Sequence, residues 1–228
     1  MRRPARSTQS ASHIMISYSK NMTTLKPHKP LSWRQIRLLE ENGCSCSDWS
    51  EVLFSPDTDL SKIRNVRFSG RMLIGSGVIL ENIGLLEFEA EAPCGVGTEV
   101  CVLDETGLRA VRIYPGMSSQ LAMITARDPQ WARNDGRELL DNHIDGFSPA
   151  PEIGDNACIR NCGMIRNVTV GKEVVIEGAS SLRNGSVINN AAPGRALARI
   201  GAGVDAENFI LEDGVLDSGA IIRNCYIG

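Results

Sequence analysis

The sequence has no long apolar run, no cysteine pair spaced for zinc and no acidic residue in positions 1–38. Its apolar runs reach only four or five residues, which excludes a transmembrane helix of about 20 apolar residues. The seven cysteines form no C-x-x-C pair and no secretory leader is evident. A disulfide framework and a zinc site are therefore disfavoured, and a reducing cytoplasm is expected.

Charge is distributed unevenly along the chain. Residues 1–38 hold eight basic side chains, and the rest of the chain holds 16 basic against 27 acidic residues, a net charge of about −11. An acidic body of this kind argues against a nucleic-acid-binding surface. Residues 1–30 are basic, polar and aperiodic, so we expect a disordered tail there, with the true start at either Met1 or Met22.

A small helical cap is predicted at residues 31–54. Ser32 and Gln35 have the spacing of a capping box, and Gly43 is a typical helix stop. A second short helix is expected from Ser47 to Leu53. The tryptophans of this region are expected to pin the cap onto the following structure rather than to bind a ligand; they are Trp33 and Trp49.

Aliphatic residues recur every six positions in the second part of the chain. The spacing is seen at Ile153, Ile159 and Ile165, then at Val170, Ile176, Leu182 and Ile188, and again at Phe209, Val215, Ile221 and Ile227. An aliphatic residue at every sixth position, with Gly, Asn or Asp between, is typical of a hexapeptide β-helix. Three short strands make one coil, each turns one aliphatic side chain inward, and the coils must stack to be stable.

An asparagine follows the aliphatic residue by two positions in six recurring tetrapeptides. These residues could form a polar active surface, or they could occupy the coil corners, where asparagine tolerates the left-handed backbone conformation. The corner interpretation is favoured. The asparagines are Asn65, Asn82, Asn161, Asn167, Asn184 and Asn224.

The repeat is interrupted, which divides the β-helix into sections at residues 60–114 and 151–228 with a helical insertion and linker at 115–150. Residues 85–114 alternate with a period of two and could be a hairpin or a continuation of the sheet. Their acidic row (Glu87, Glu89 and Glu91) is interpreted as a solvated strand face rather than as acid–base machinery.

Several stretches resemble an uncharacterised bacterial β-helix family that is catalogued as a domain of unknown function. They are IRNVRFSG at 63–70, DETG at 104–107, IEGA at 176–179, LRNGS at 182–186 and NAAP at 190–193. The resemblance runs from Leu31 to Gly228. It implies a mainly β fold, a left-handed parallel β-helix of hexapeptide repeats with a helical head. The family is likened to UDP-N-acetylglucosamine acyltransferases and to the β-helical part of sugar nucleotidyltransferases, but it supplies no catalytic residues.

Two departures from these relatives bear on assembly. The chain is several coils shorter between Arg71 and Ile74, and it stops at Gly228 in the middle of a period. An open coil leaves backbone groups unpaired. We therefore expect either a fragment with a missing C-terminal part or an end that docks on a partner.

Catalytic chemistry has only one histidine to draw on outside the first 30 residues. Hexapeptide transferases use a histidine base, which here would be His143, with Asp141 and Asp145 as neighbours that could orient it. An arginine set could bind phosphate or carboxylate, although a solubilising outer row is favoured. The arginine candidates for substrate binding are Arg160, Arg166 and Arg183.

Two functions follow as hypotheses. The first is a hexapeptide-repeat acyltransferase that moves an acyl group from acyl-CoA or an acyl-carrier protein to a sugar or nucleotide-sugar, acting as a trimer. The second is a non-catalytic β-helix module for assembly or regulation. Neither hypothesis includes a permanently bound cofactor, a metal, a nucleic acid or a membrane.

Overall fold

The computed structural model describes residues 28–102, 110–127, 135–146, 150–190, 197–217 and 219–228. The predicted tail up to residue 27, the DETG motif at 104–107 and residues 191–193 of the NAAP motif lie outside these residues.

The described chain is mainly β, with few helices. Its helices are α1 (Trp33–Glu41), α2 (Ser119–Arg127) and α3 (Asp135–Asp145). Its strands are β1 (Ser45–Cys46), β2 (Val52–Phe54), β3 (Ile63–Gly70), β4 (Met72–Ile74), β5 (Ile79–Phe88), β6 (Glu99–Cys101), β7 (Ala110–Arg112), β8 (Glu152–Ile153), β9 (Cys158–Val170), β10 (Val175–Glu177), β11 (Ser181–Ile188), β12 (Arg199–Ile200), β13 (Asp205–Glu212), β14 (Val215–Leu216) and β15 (Ile221–Ile227).

Thirteen strands form one sheet in which all strand pairs are parallel. Strand β9 pairs with β5, with β8 and with both β10 and β11, so the sheet curls and each pass of the chain stacks on the preceding one. The predicted mainly β architecture with parallel coils is confirmed at this level.

Three columns of side chains point into the interior of the curled sheet. Strand pairing sets Ile159 against Ile176, Ile165 against Leu182, and Val170 against Val187, a repeat of 17 residues. The next full repeat is 16 residues, because Ile200 pairs with Leu216. The interior columns are fully or nearly fully buried down to the last coil, so the aliphatic residues form a continuous core that joins the coils.

The strict six-residue periodicity is wrong for the last coil. Val215 is 56% exposed and Ile221 is 74% exposed, whereas Leu216 and Ile222 take the inward register positions. Each coil contains two steps of five or six residues and a shorter step of five, so a strict hexad slips out of register. A slip of one residue in a strand turns the side chain to the opposite face.

The first helix begins and ends where the sequence predicts. The backbone nitrogen of Ser32 donates to Gln35 Oε1 at 2.9 Å, Leu39 is fully buried, and Gly43 follows the helix with a φ of +81°. The second predicted helix is wrong beyond a single 3₁₀ turn at Trp49–Glu51. Val52 and Leu53 belong to β2 because they pair with Met72 and Leu73 of β4.

The two tryptophans behave differently. Trp49 packs against Phe68, with ring centroids 5.7 Å apart, as expected for a residue that pins the start of the chain to the coils. The same expectation is wrong for Trp33, which is 66% exposed and carries the Arg37 guanidinium 4.9 Å from its ring centroid.

An inserted segment, residues 89–151, leaves the parallel sheet after β5 and returns at β8. The coil remains continuous across it, because Ile74 of β4 pairs directly with Ile153 of β8. Within the segment, β6 and β7 pair only with each other, so residues 85–114 end in a hairpin rather than continue the sheet. Its apolar residues form a second core, which contacts the coils through the outward-facing, fully buried Ile210.

Candidate functional site

The three arginines predicted to bind substrate each pair with a carboxylate on a neighbouring coil. Arg160 Nε lies 3.0 Å from Glu81, Arg166 Nε lies 2.9 Å from Glu87, and Arg183 lies 3.1 Å from Glu207. Parallel stacking in register places opposite charges on adjacent rungs, which explains the alternation. The arrangement matches an outer row of ion pairs, and a role in substrate binding stays a prediction.

The acidic row after β5 is tied to the same arginines. Glu89 contacts Arg166 and accepts a hydrogen bond from Asn167 Nδ2 at 3.0 Å. These contacts lower the pKa of Glu89, the Asn167 hydrogen bond being the largest cause. The row was expected to face solvent with nothing to perturb it, and that is wrong for Glu87 and Glu89, because the paired coil carries Arg166.

His143 lies in the last turn of α3 and is half-buried. Its ring meets the buried Tyr114 edge to face, with ring centroids 5.3 Å apart. The expected orientation by Asp141 and Asp145 is wrong, since both carboxylates bind the Arg112 guanidinium, at 2.8 and 3.0 Å. A guanidinium offers two donors to two carboxylates, so it attracts them more strongly than a neutral ring does. The structure contains no substrate, so the catalytic role of His143 stays a prediction.

The asparagines occupy coil corners, as the favoured interpretation predicts. Each has a positive φ, between 47° and 56°. Asn65 donates to Asn82 and Asn82 to Asn161, at 2.9 and 3.0 Å, which forms one ladder. A second ladder runs from Asn184 through Asn208 to Asn224, at 2.6 and 2.9 Å. Each Nδ2 donates toward the later coil, so the ladders have a polarity.

The inserted segment enters at the upper end of the second ladder. Asn167 binds Glu89 instead of Asn184, and Asn184 Oδ1 instead accepts the backbone N–H of Gly95 at 2.9 Å. One residue earlier, the buried Ser186 hydroxyl donates to the Cys94 carbonyl oxygen at 2.7 Å. Gly95 has a φ of +83°, so the approach requires a residue that tolerates the left-handed conformation.

Glu212 joins three parts of the molecule and was not singled out from the sequence. Its side chain is 2% exposed. Oε1 accepts the backbone N–H of Gly116 at 2.7 Å, and Oε2 accepts the Tyr226 hydroxyl at 2.7 Å and Asn190 Nδ2 at 3.3 Å. Buried carboxylates need such donors to offset desolvation. The contacts span up to 96 residues of sequence, so no local motif announces them.

The last described coil has a free edge. Among the described residues, β15 pairs only with β13 and β14 pairs only with β12. Leu216 is 8% exposed, but Ile222 and Ile227 of the same interior columns are only half-buried. The edge therefore presents both unpaired backbone groups and interior apolar side chains.

Metal and thiol chemistry find little support within the described ranges. No group of three or more His, Cys, Asp or Glu side chains there could hold a metal ion. All seven cysteines are described and none forms a disulfide. Burial raises the pKa of the Cys44, Cys94 and Cys162 thiols, which lowers their thiolate fraction and their reactivity. In the same ranges, no helix has the length and apolar character to span a bilayer.

Comparison with known proteins places the chain beside proteins of unknown role. A family model described as a domain of unknown function, DUF4954, matches residues 28–78 and 72–228. An uncharacterised protein of Treponema pallidum (strain Nichols) is 22% identical over 262 residues, which cover 86% of this chain and 35% of that protein. The chain thus spans about a third of the length of this relative. No solved structure matches the chain.

Proposed function

Because the chain belongs to DUF4954, a family whose function is unknown, we propose its function from its own geometry. It is a non-catalytic assembly module that stacks the free edge of its last described coil on another β-helix coil. The observation that carries the proposal is β15, a strand of seven residues paired on one side only within the described chain. Unpaired parallel edges are templates for further strands.

The polarity of the second asparagine ladder supports a specific kind of partner. Asn208 donates its Nδ2 to Asn224 at 2.9 Å, and the same orientation directs Asn224 Nδ2 toward the open side. A partner coil that continues the ladder must therefore offer an oxygen acceptor at its own corner. Its strands must also carry inward aliphatic residues, since Ile222 and Ile227 are half-covered.

Exposed apolar side chains concentrate near the same edge. Leu197, Val215 and Ile221 are 54%, 56% and 74% exposed. The opposite end of the coils is covered, because Leu39 of α1 is fully buried in the core and Lys29 forms two backbone hydrogen bonds of 2.9 Å with Phe54. Stacking is therefore proposed at the β14–β15 end and not at the α1 end, since burying exposed apolar area favours association.

Static light scattering of the chain across a concentration series tests this function. A second copy of the chain supplies the partner edge, so its mass should double toward about 100 µM, a concentration that reveals weak interfaces. Ile221→Lys should keep it monomeric, because lysine at a strand edge opposes pairing. Met123→Lys, at a 41% exposed position on α2, is the matched control and should still associate.

Two results would remove the assembly proposal. One is a monomer at every concentration. The other is a larger mass, such as the trimer expected from the resemblance, that Ile221→Lys leaves unchanged.

The finer description of the fold is also part of the proposal. We propose that the coils wind in the left-handed sense and that α1 with residues 28–31 caps the first coil. The short 16- to 17-residue repeat supports this winding, as do single asparagines with positive φ at the corners. An experimental map in which the coils wind to the right would contradict it.

A second candidate function is the acyltransferase, and one observation favours it. The edge-to-face contact with Tyr114 holds the His143 ring in one orientation, as a general base requires. Under this candidate, acyl-CoA or an acyl-carrier protein donates to a sugar or nucleotide-sugar, and Arg160, Arg166 and Arg183 contact the acceptor. Calorimetry should then detect acetyl-CoA binding, and His143→Ala should abolish transfer while Asn142→Ala does not.

A reducing compartment is proposed from the cysteines. None of the seven forms a disulfide, and Cys44, Cys94 and Cys162 are buried in the core. Buried thiols of this kind act as small apolar side chains. We propose the cytoplasm as the working compartment, and a folded chain with unchanged stability in reductant is the expected result.

A further inference from the structure

We infer that the inserted segment is a strap that holds β15 in the geometry needed for stacking, acting through Tyr226 and Glu212. The inference rests on the proposed function for its purpose, because β15 is the strand that would meet a partner coil. The contact itself stands on the described geometry alone. Tyr226 and Glu212 are thus positioning residues for a docking edge.

The segment runs down the outside of several successive coils. It leaves after Phe88 of β5, where the Glu89 backbone N–H donates to Asn167 Oδ1 at 2.8 Å. It then bonds to the coil of β11 through Gly95 and Cys94. It bonds to β13 through Gly116, and at its return Thr169 Oγ1 donates to the Ala150 carbonyl at 2.8 Å. A segment fixed at both ends and in the middle resists separation of the coils it crosses.

Glu212 transmits this restraint to the last strand. One carboxylate oxygen binds the segment, at Gly116, and the other binds β15, at the Tyr226 hydroxyl, both at 2.7 Å. Hydrogen bonds to a buried carboxylate are stronger than those between neutral groups. The strap therefore reaches β15 through one rigid side chain and without direct backbone pairing.

Apolar packing follows the same path. Ile210 of β13 and Tyr226 of β15 both face outward, because strand pairing sets them side by side. Ile210 is fully buried in the second core, against residues that include Val96 and Ile113, and Tyr226 packs against the same cluster. The outward face of the last two coils is thus covered by the inserted segment, while the lower edge of β15 stays open.

An edge strand with one neighbour is expected to fray unless something else holds it. The strap supplies that restraint at Tyr226, one residue before the end of β15. An ordered edge docks with a smaller loss of conformational entropy than a frayed one. The purpose of the strap is therefore to keep the docking strand ready before a partner arrives.

Amide hydrogen exchange on the 228-residue chain tests the strap without any partner. Tyr226→Phe and Glu212→Gln each remove a hydrogen bond to or from the carboxylate, and the β15 amides should exchange about 10-fold faster in both variants. The amides of β3 and β5 should be unaffected. Glu207→Gln is the matched control, because this residue lies on the same strand β13 but pairs with Arg183 and Arg223.

Unchanged β15 exchange in both variants would overturn the strap. Equal acceleration in every strand would also overturn it, because it would indicate only a general loss of stability. The light-scattering series on the same variants separates the two proposals. Faster β15 exchange in a chain that never associates supports the strap and removes only the stacking function.

Discussion

Gly95 donates its backbone N–H to Asn184 Oδ1 at 2.9 Å, at the place where the preceding corner asparagine, Asn167, turns to Glu89 instead. The inserted segment therefore takes the position that a ladder asparagine would otherwise hold. An interruption of the sequence repeat is in this way built into the hydrogen bonding of the coils and does not simply hang from them.

Replacing Asn184 should weaken this junction. Asn184→Gly keeps the positive φ of 47° but removes the acceptor for Gly95, which is buried, and the donor to Asn208. We expect a loss of about 2 kcal/mol in the free energy of unfolding, because a buried donor is left without a partner. Urea denaturation measures it.

The control for Asn184 lies at the exposed end of the same ladder. Asn224→Gly removes only the acceptor for Asn208 at an exposed corner, so its cost should stay below about 1 kcal/mol. Equal losses for the two variants would show that Gly95 contributes nothing at Asn184.

The second prediction concerns Gly185 and Phe209, which are paired on neighbouring coils. A Cβ at Gly185 would lie 2.6 Å from Phe209 Cζ, too close for an ordinary contact. Gly185→Ala should therefore destabilise the chain by about 1–3 kcal/mol through overpacking. Phe209→Leu in the same chain should recover part of that loss, and strictly additive effects in a double-mutant cycle would contradict the contact.

Much of the architecture can be predicted from local pattern. The recurring aliphatic residues indicate parallel coils, and the asparagines indicate corners, because each signal depends on one residue and its immediate neighbours. The exact register could not be predicted in the last coil, where a five-residue step moves Ile222 rather than Ile221 inward. Glu212 could not be predicted as a junction, because Gly116 reaches it only after the coils have stacked.

The third prediction is a pH effect from Glu152. Burial raises the pKa of this carboxyl as the largest cause, Asp155 also raises it, and His28 and Lys172 lower it. The folded state therefore binds the proton more tightly than the unfolded state does. The contribution of Glu152 to stability is favourable at low pH and is lost as the pH rises from about 4.3, the unfolded value, through the higher folded pKa.

Glu152→Gln should remove this dependence. We expect the variant to be more stable than the parent chain at pH 7 and to lose that advantage below about pH 4. Thermal unfolding at a series of pH values provides the measurement. A stability difference that does not change with pH would show that Glu152 titrates in the folded chain as it does in the unfolded one.

The fourth prediction concerns thiol reactivity. Cys101 is exposed, whereas burial raises the pKa of the Cys94 and Cys162 thiols. Iodoacetamide should therefore alkylate Cys101 first in the folded chain, because the thiolate is the reactive species. Mass spectrometry of a time course locates the label, and early labelling of Cys94 or Cys162 would contradict the buried core positions.

Stacking through β15 is tested most directly by comparing amide exchange in dilute and concentrated protein, about 1 µM against about 100 µM. If the free edge pairs with another coil, the amides at residues 221–227 gain at least 10-fold protection in the concentrated sample, since pairing removes them from solvent. The rest of the surface, including α2, stays as it was. Protection that appears elsewhere, or nowhere, while β15 exchanges at the same rate in both samples would contradict assembly through this edge.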